Sequence, residues 1–410
     1  MKGRVFALTA LAAGVSAAAW GAGGGEALTL RDAVALALRE NPAIRSATGG
    51  QELARADLAE ATAGRLPLLQ ASETFTRGTN PVFVFGATLE QSRFGPGNFQ
   101  NIEALNDPAP ANSFRTALTA RWTLFDQLQT STRVTRSRFG TEQADQQRRF
   151  AEQQVRFQVL RSYYGVLYAQ ARRAAAEEAI RSAEADASRS RTLFETGTVV
   201  RSDLLAAEVQ LAEFRQERIQ AAGEVAMGLA ALNASLGLPV VTAHRLAGEL
   251  SDRSFDPGTE DELLRLALER RPDYLNAVSA RRSAQAAVRG AAAAYLPRVE
   301  TFGTFGGSGR DPGIESTDYT LGAVVSVELF EPGRRPRLEK ARAAASIAEA
   351  EREQTASRIS VEVVQALQRF WTARERLAVA AAAVEQAREA LRIGQDRYQE
   401  GLSTMTEVLR

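Results

Sequence analysis

The sequence predicts a mainly helical protein that contributes four strands to a membrane β-barrel. Three observations predict it: a proline-free run of great length, two alternating segments long enough to cross a bilayer, and an internal duplication that repeats both. From Asp126 to about Thr196 there is no proline, and the alanine, arginine, glutamine and glutamate there favour helix. At 1.5 Å per residue such a helix is about 105 Å long, far beyond the three or four turns of a globular helix. A helix of that length lies against similar partners. Phe157, Leu160, Tyr164, Leu167, Ala171, Ala175 and Ala179 step by three and four, as a coiled-coil-like seam does.

The strands come from period-two alternation. Between Ser113 and Phe125, Phe114, Leu118, Ala120, Trp122 and Leu124 share one parity, and Ser113, Arg115, Thr119, Arg121 and Thr123 the other. From Asp318 to Phe330 the same split sets Tyr319, Leu321, Ala323, Val325, Val327 and Leu329 against Asp318, Thr320, Ser326 and Glu328. A tilted membrane strand needs about 9–11 residues, and both runs exceed that. Lipid on the apolar face and water on the polar one is the pattern of a transmembrane barrel. This predicts Phe114, Trp122, Tyr319 and Val327 toward lipid, and Arg115, Arg121 and Glu328 toward a channel. Each run has a less regular partner before it. Glu73 interrupts the face of Leu69, Ala71 and Phe75, and Gly303, Gly306 and Gly307 weaken the second copy. Thr79 to Asn112 reads as a long loop with four prolines, and Gly309 to Thr317 as a short one.

The duplication has a fixed register. Leu30–Pro42, a short amphipathic helix stopped by proline, returns as Asp261–Pro272. Pro42 and Pro272, Pro67 and Pro297, and Phe75 and Phe305 are each 230 positions apart. Chance does not hold three such landmarks in ungapped register, so the chain contains a repeat. Both long helices end alike, in Phe194-Glu-Thr-Gly197 with Asp203 beyond, and in Tyr398-Gln-Glu-Gly401 with Glu407 beyond. The glycine suits the residue after a helix, and the acid suits the first turn of the returning one. The domains expected are residues 1–22, 23–250 and 251–410. The second returning helix has only begun at Arg410, so about 30 further residues are expected by comparison with Ser202–Leu236.

Composition narrows the function. Formal net charge is +1, without a basic block interleaved with aromatics, which disfavours nucleic acid. There is no cysteine, hence no disulfide, thiolate metal site or cysteine-borne lipid anchor. The single histidine, His244, reads as an exposed connector residue. No catalytic constellation, phosphate loop or metal-ligand spacing is present, so neither an enzyme nor a cofactor is expected. Lys2 and Arg4 before the apolar run Val5–Trp20 read as a secretory signal peptide, cut near Ala19 to Ala22. Four strands leave open edges that lipid does not tolerate, and known barrels need at least about eight strands. Two, three or four copies must therefore share one barrel. A periplasmic adaptor or coiled-coil scaffold is the competing reading. It explains the hairpins but not the alternating strands.

In Leu28-Thr-Leu-Arg-Asp-Ala-Val-Ala-Leu-Ala-Leu, Asn41-Pro42, Asn80-Pro-Val-Phe-Val-Phe85, Leu124-Phe125-Asp126 and both hairpin tips, the chain resembles the outer-membrane efflux proteins, the TolC-like channels. The resemblance implies a homotrimer with a twelve-stranded barrel in outer-membrane lipid and a helical tunnel, an α-barrel, reaching into the periplasm. It implies an exit duct for efflux or type I secretion, docked to a periplasmic adaptor and an inner-membrane transporter. It assigns adaptor docking to tip residues Phe194, Gly197, Val199, Tyr398, Gly401 and Ser403. It assigns a periplasmic gate to Arg201, Asp203 and Glu407. Some members carry arginine two residues after the second tip glycine and an acid nine after it, where this chain has Ser403 and Arg410.

Overall fold

The computed structural model describes residues 27–100, 102–251, 255–400, 402–404 and 407. The expected signal peptide of residues 1–22 and the tip glycine Gly401 lie outside the described residues. In chain order the elements are α1 (Leu30–Glu40), α2 (Pro42–Ala63), β1 (Leu68–Gly78), α3 (Pro81–Glu90), a 3-10 turn (Pro96–Phe99), α4 (Ile102–Asn106) and β2 (Ala111–Asp126). Next come α5 (Gln129–Glu195), α6 (Arg201–Leu236), α7 (Glu260–Arg270), α8 (Pro272–Ala293), β3 (Arg298–Gly309), β4 (Ser316–Ser326) and α9 (Arg334–Gln399). The 230-residue offset is kept at both ends of two helix pairs, α1 with α7 and α2 with α8, and at the starts of β1 and β3. Two compact units form: Met1–Asn41 with Arg156–Asp252 and Gly401–Arg410, and Pro42–Val155 with Arg253–Glu400.

In the first unit the core is a helical hairpin with a strap across it. Arg172 pairs with Glu224 at 2.6 Å, Glu184 with Arg215 at 3.0 Å, and Arg191 with Glu208 at 2.7 Å, so α5 and α6 run antiparallel. These pairs are exposed and each contributes little, about 0–1 kcal/mol. The hairpin is held instead by a buried stripe of Val159, Tyr163, Val166, Ala176, Ile180, Ala183 and Ala187. Of the expected seam only Leu167 is buried within this chain, while Phe157, Leu160 and Tyr164 are exposed. One antiparallel partner covers one face of a helix, and α6 takes the face beside the expected seam. The strap is a parallel bridge between Leu28 and Leu246. The Tyr163 hydroxyl donates to the carbonyls of Leu28, at 2.9 Å, and Ala247. Ala33 and Ala37 of α1 are fully buried, and α1 packs on α6. His244, expected to be exposed, is half-buried, and its Nε2 has no hydrogen-bond partner. Burial lowers its pKa.

In the second unit the strands form one antiparallel sheet in the order β1-β2-β3-β4, each beside its neighbour in sequence. The short helices zip to the long ones through polar contacts. Gln51 donates to Asp145 at 2.6 Å, Ser279 to Glu142 at 3.1 Å, and Arg271 to Glu362 at 2.6 Å. Gly290 of α8 lies so close to Thr132 that a Cβ there would meet its side chain at 2.7 Å. The strand-to-helix turn after β2 puts two non-glycine residues in the left-handed region, Gln127 at φ 59° and Leu128 at φ 60°. The Asp126 carboxylate accepts from the Thr130 backbone at 2.7 Å, capping α5.

Candidate functional site

Cross-strand register sorts the sheet into two faces. Phe75 stands opposite Phe114, with ring centroids 4.6 Å apart; Leu118 stands opposite Phe305, and Phe305 opposite Tyr319. Leu69, Trp122, Leu321 and Val325 share this face, and all four are exposed. The Trp122 indole donates to the carbonyl of Arg65 at 2.9 Å. The other face carries Thr74, Arg115, Thr119, Arg121, Thr304 and Thr320, with Phe302 among them. Phe114, Trp122 and Tyr319 thus share the apolar face, and Arg115 and Arg121 the polar one, as alternation predicts. Glu73 sits on the apolar face, where its carboxylate accepts from the Thr116 hydroxyl of the facing strand. Val327 and Glu328 lie outside the sheet, because β4 ends at Ser326, opposite Arg298, where β3 begins. Beyond that point no partner strand remains. Glu328 pairs instead with Arg334 at 3.4 Å, in the turn that starts α9.

At the sheet end away from α2, α5, α8 and α9, the expected loop is largely helical. Asn80 caps α3, its Oδ1 accepting from Val82 and Phe83 backbone nitrogens at 3.0 and 3.2 Å. Pro81 occupies the first turn. This corrects the loop reading. Asn followed by Pro before an apolar run is a helix-start signal that the four prolines of the segment obscured. Gln91 then donates to the carbonyls of Asn112, at 2.9 Å, and Gly309, at 3.3 Å. Arg115 grips Asp318 through two bonds of 2.9 Å, donates to Ser308 at 3.0 Å, and lies 3.8 Å from Glu90. That cluster joins β2, β3, β4 and α3 on the polar face. The period-two reading placed Arg115 correctly, but alternation along one strand carries no information about which strand supplies its partner.

The hairpin tip between α5 and α6 is a Schellman turn. Gly197 adopts φ 77°, its N–H donates to Phe194 O at 3.0 Å, and the Thr198 N–H donates to Leu193 O at 2.8 Å. Phe194 is 39% exposed and Val199 is half-buried. Arg201 starts α6 and is exposed, whereas Asp203, in the first turn, is 8% exposed. Tyr398 near the end of α9 is 3% exposed. Ser403 is half-buried with an unpartnered Oγ, and Glu407 is exposed, its N–H directed at the carbonyl of Thr404 at 3.1 Å. Among the described residues, Arg201, Asp203 and Glu407 enter no ion pair. No helix among the described residues is long and apolar enough to cross a membrane, and no group of three or more acids or histidines could hold a metal ion.

The fold and sequence have counterparts. Over 151 residues the chain is 32% identical to the outer membrane protein OprJ of Pseudomonas aeruginosa, a match covering 36% of this chain and 31% of that relative's length. A membrane protein from Pseudomonas aeruginosa superposes with a TM-score of 0.78 at 25% identity, over 93% of this chain and 85% of that one. The Campylobacter jejuni CmeC outer membrane channel superposes with a TM-score of 0.79 at 19% identity, over 98% and 87%. The family model of the outer membrane efflux proteins matches residues 33–238 and 263–410, nearly all of the described chain. With its duplicated helix–strand order and two-faced sheet, the chain belongs to the outer membrane efflux protein family.

Proposed function

We infer that this chain is one subunit of a homotrimeric exit duct in the outer membrane, passively conducting cargo delivered by an inner-membrane transporter through a periplasmic adaptor. The observation that carries the reading is the sheet. It has a lipid-compatible face, a polar face and two unpaired edge strands, β1 and β4, in a chain of the efflux family. Unpaired strand edges in lipid cost several kcal/mol per group, so closure through other copies is required. Three copies give twelve strands, with Arg115, Thr119, Arg121 and Thr304 toward water. The sequence halves 23–250 and 251–410 act as two structural repeats, each supplying two strands and a long helix. The duct needs no cofactor and performs no catalysis.

The periplasmic end follows from the tips. Adaptor docking is assigned tip by tip, to Phe194, Gly197 and Val199 at the first and to Gly401 and Ser403 at the second, with buried Tyr398 supporting the second from beneath its surface, and the gate to Arg201, Asp203 and Glu407. Exposed Glu407 repeated by threefold symmetry makes a ring of like charge, which attracts cations and resists tight closure. Full-length protein in planar bilayers should conduct with cation preference. Glu407→Gln should reduce that preference and the block by multivalent cations, without lowering trimer yield. Unchanged selectivity removes Glu407 from the gate. Absence of any conductance in assembled trimers contradicts the duct itself.

A further inference from the structure

Helix α3 carries an apolar stripe that faces away from the strands. It sits on the wrong side of the sheet for a lipid contact. Three observations place α3 on the polar face. A Cβ at Gly78 would meet the Phe83 ring at 3.4 Å, and Gly78 shares the parity of Thr74 and Thr76. Glu90 reaches toward Arg115, and Ser92 Oγ lies 2.9 Å from Ser316 Oγ, both partners being polar-face residues. Ala87 and Gln91 turn inward and are buried. Val82, Phe85 and Leu89, at spacings of three and four, turn away from the sheet and are 81%, 40% and 48% exposed, Phe85 with one edge against Phe94 of the same segment, ring centroids 4.8 Å apart. A helix pinned to the channel face thus presents its apolar side to the channel.

We propose that this stripe is an interaction surface whose occupant is the same stripe on the other two copies, forming an apolar stopper at the outer mouth of the duct. The proposal rests on the trimeric reading above. Twelve strands about 4.8 Å apart and tilted by about 40° enclose a ring about 24 Å across. Three helices about 10 Å wide, held against the inside of such a ring, leave little open cross-section. Valine, phenylalanine and leucine meeting on the axis bury area that water otherwise covers, and an apolar constriction excludes water and ions by dewetting. The Arg115 cluster and the two Gln91 bonds anchor the hinge of the segment to the wall. Opening moves α3 away from the axis.

The test uses external labelling of the full chain in intact cells, which the periplasmic gate does not affect. The sequence has no cysteine, so single cysteines report cleanly. Thr119→Cys lies on the polar face inward of Arg115, and Phe305→Cys on the apolar face. Replacing Val82, Phe85 and Leu89 together by serine should speed labelling of Thr119→Cys by an external, membrane-impermeant maleimide about tenfold, leaving Phe305→Cys unlabelled. Equal rates at Thr119→Cys with and without the serines overturn the stopper while leaving the duct intact. Equal labelling of Thr119→Cys and Phe305→Cys overturns the sheet reading on which it rests. A second measurement does not depend on folding of the triple variant. Leu89→Cys alone should form a disulfide with a second copy on oxidation, and assembled trimers that fail to crosslink contradict the proposal.

Discussion

Asn41 and Arg271 occupy equivalent places 230 residues apart and solve different problems. Asn41 donates its side-chain amide to Ser235 O at 2.8 Å, satisfying a carbonyl in the last turn of α6. Beside it Gly237 adopts φ 78°, and a Cβ there would meet Glu40 O at 2.8 Å and Asn41 Cα at 2.9 Å. Gly237→Ala therefore combines left-handed strain with overpacking, and should cost about 3 kcal/mol in thermal unfolding followed by helical signal. Arg271 instead pairs with Asp273 at 2.8 Å and Glu362 at 2.6 Å, tying α8 to α9. Tyr163 gives a second expectation. Tyr163→Phe keeps the packing but removes the donor shared by Leu28 and Ala247, and should cost about 1 kcal/mol. Burial, then the neighbouring Tyr164, raises the Tyr163 pKa above the ordinary 10.0, against the lowering effect of the Ala247 bond. A raised value favours the neutral hydroxyl in the folded state. Its contribution is complete below pH 10.0 and is lost as pH climbs through the folded value, so the two proteins should converge in alkaline melts.

At the scale of elements, what the sequence revealed depended on the range of the physics. Local and periodic signals were legible: α1 and α2 with their prolines, the alternation of β2, and the repeat that aligns β3 with β1. Which face of α5 its own hairpin uses was not. Two adjacent stripes both carry apolar residues at spacings of three and four, and only tertiary pairing chooses between them. The structure uses Val159, Val166 and Ile180 within the chain and leaves Phe157, at 63%, and Tyr164, at 47%, exposed. In the trimer proposed above, a neighbouring copy covers that second stripe. Phe157→Ser with Tyr164→Ser should lower the trimer fraction seen by native mass spectrometry while helical content stays unchanged. Val159→Ala should do the reverse, costing about 2 kcal/mol of hairpin stability with little effect on the assembly of folded chains. The left-handed Gln127 and Leu128 had no sequence signal, because neither residue type is selected by that conformation. Asp126 supplied the cap but not the turn.

For the whole molecule, the sheet says most about function and the tips least. Face assignment follows from parity, and parity survives small errors in strand ends, so the residues misplaced in β4 are the four beyond Ser326, from Val327 to Phe330. The tip residues form a motif whose meaning is set by other chains. The turn at Gly197 satisfies helix-end carbonyls whether or not an adaptor binds there. The central claim is that β1 to β4 span the outer membrane with their polar face toward a water-filled duct. Single cysteines at Ala117, Thr119 and Thr123, and at Leu118, Ala120 and Trp122, all ahead of the register shift after Thr123, test it in outer-membrane vesicles containing the protein. With a water-soluble maleimide the first set should label and the second should not, alternating residue by residue along β2. Uniform labelling across both sets would contradict a membrane-spanning barrel.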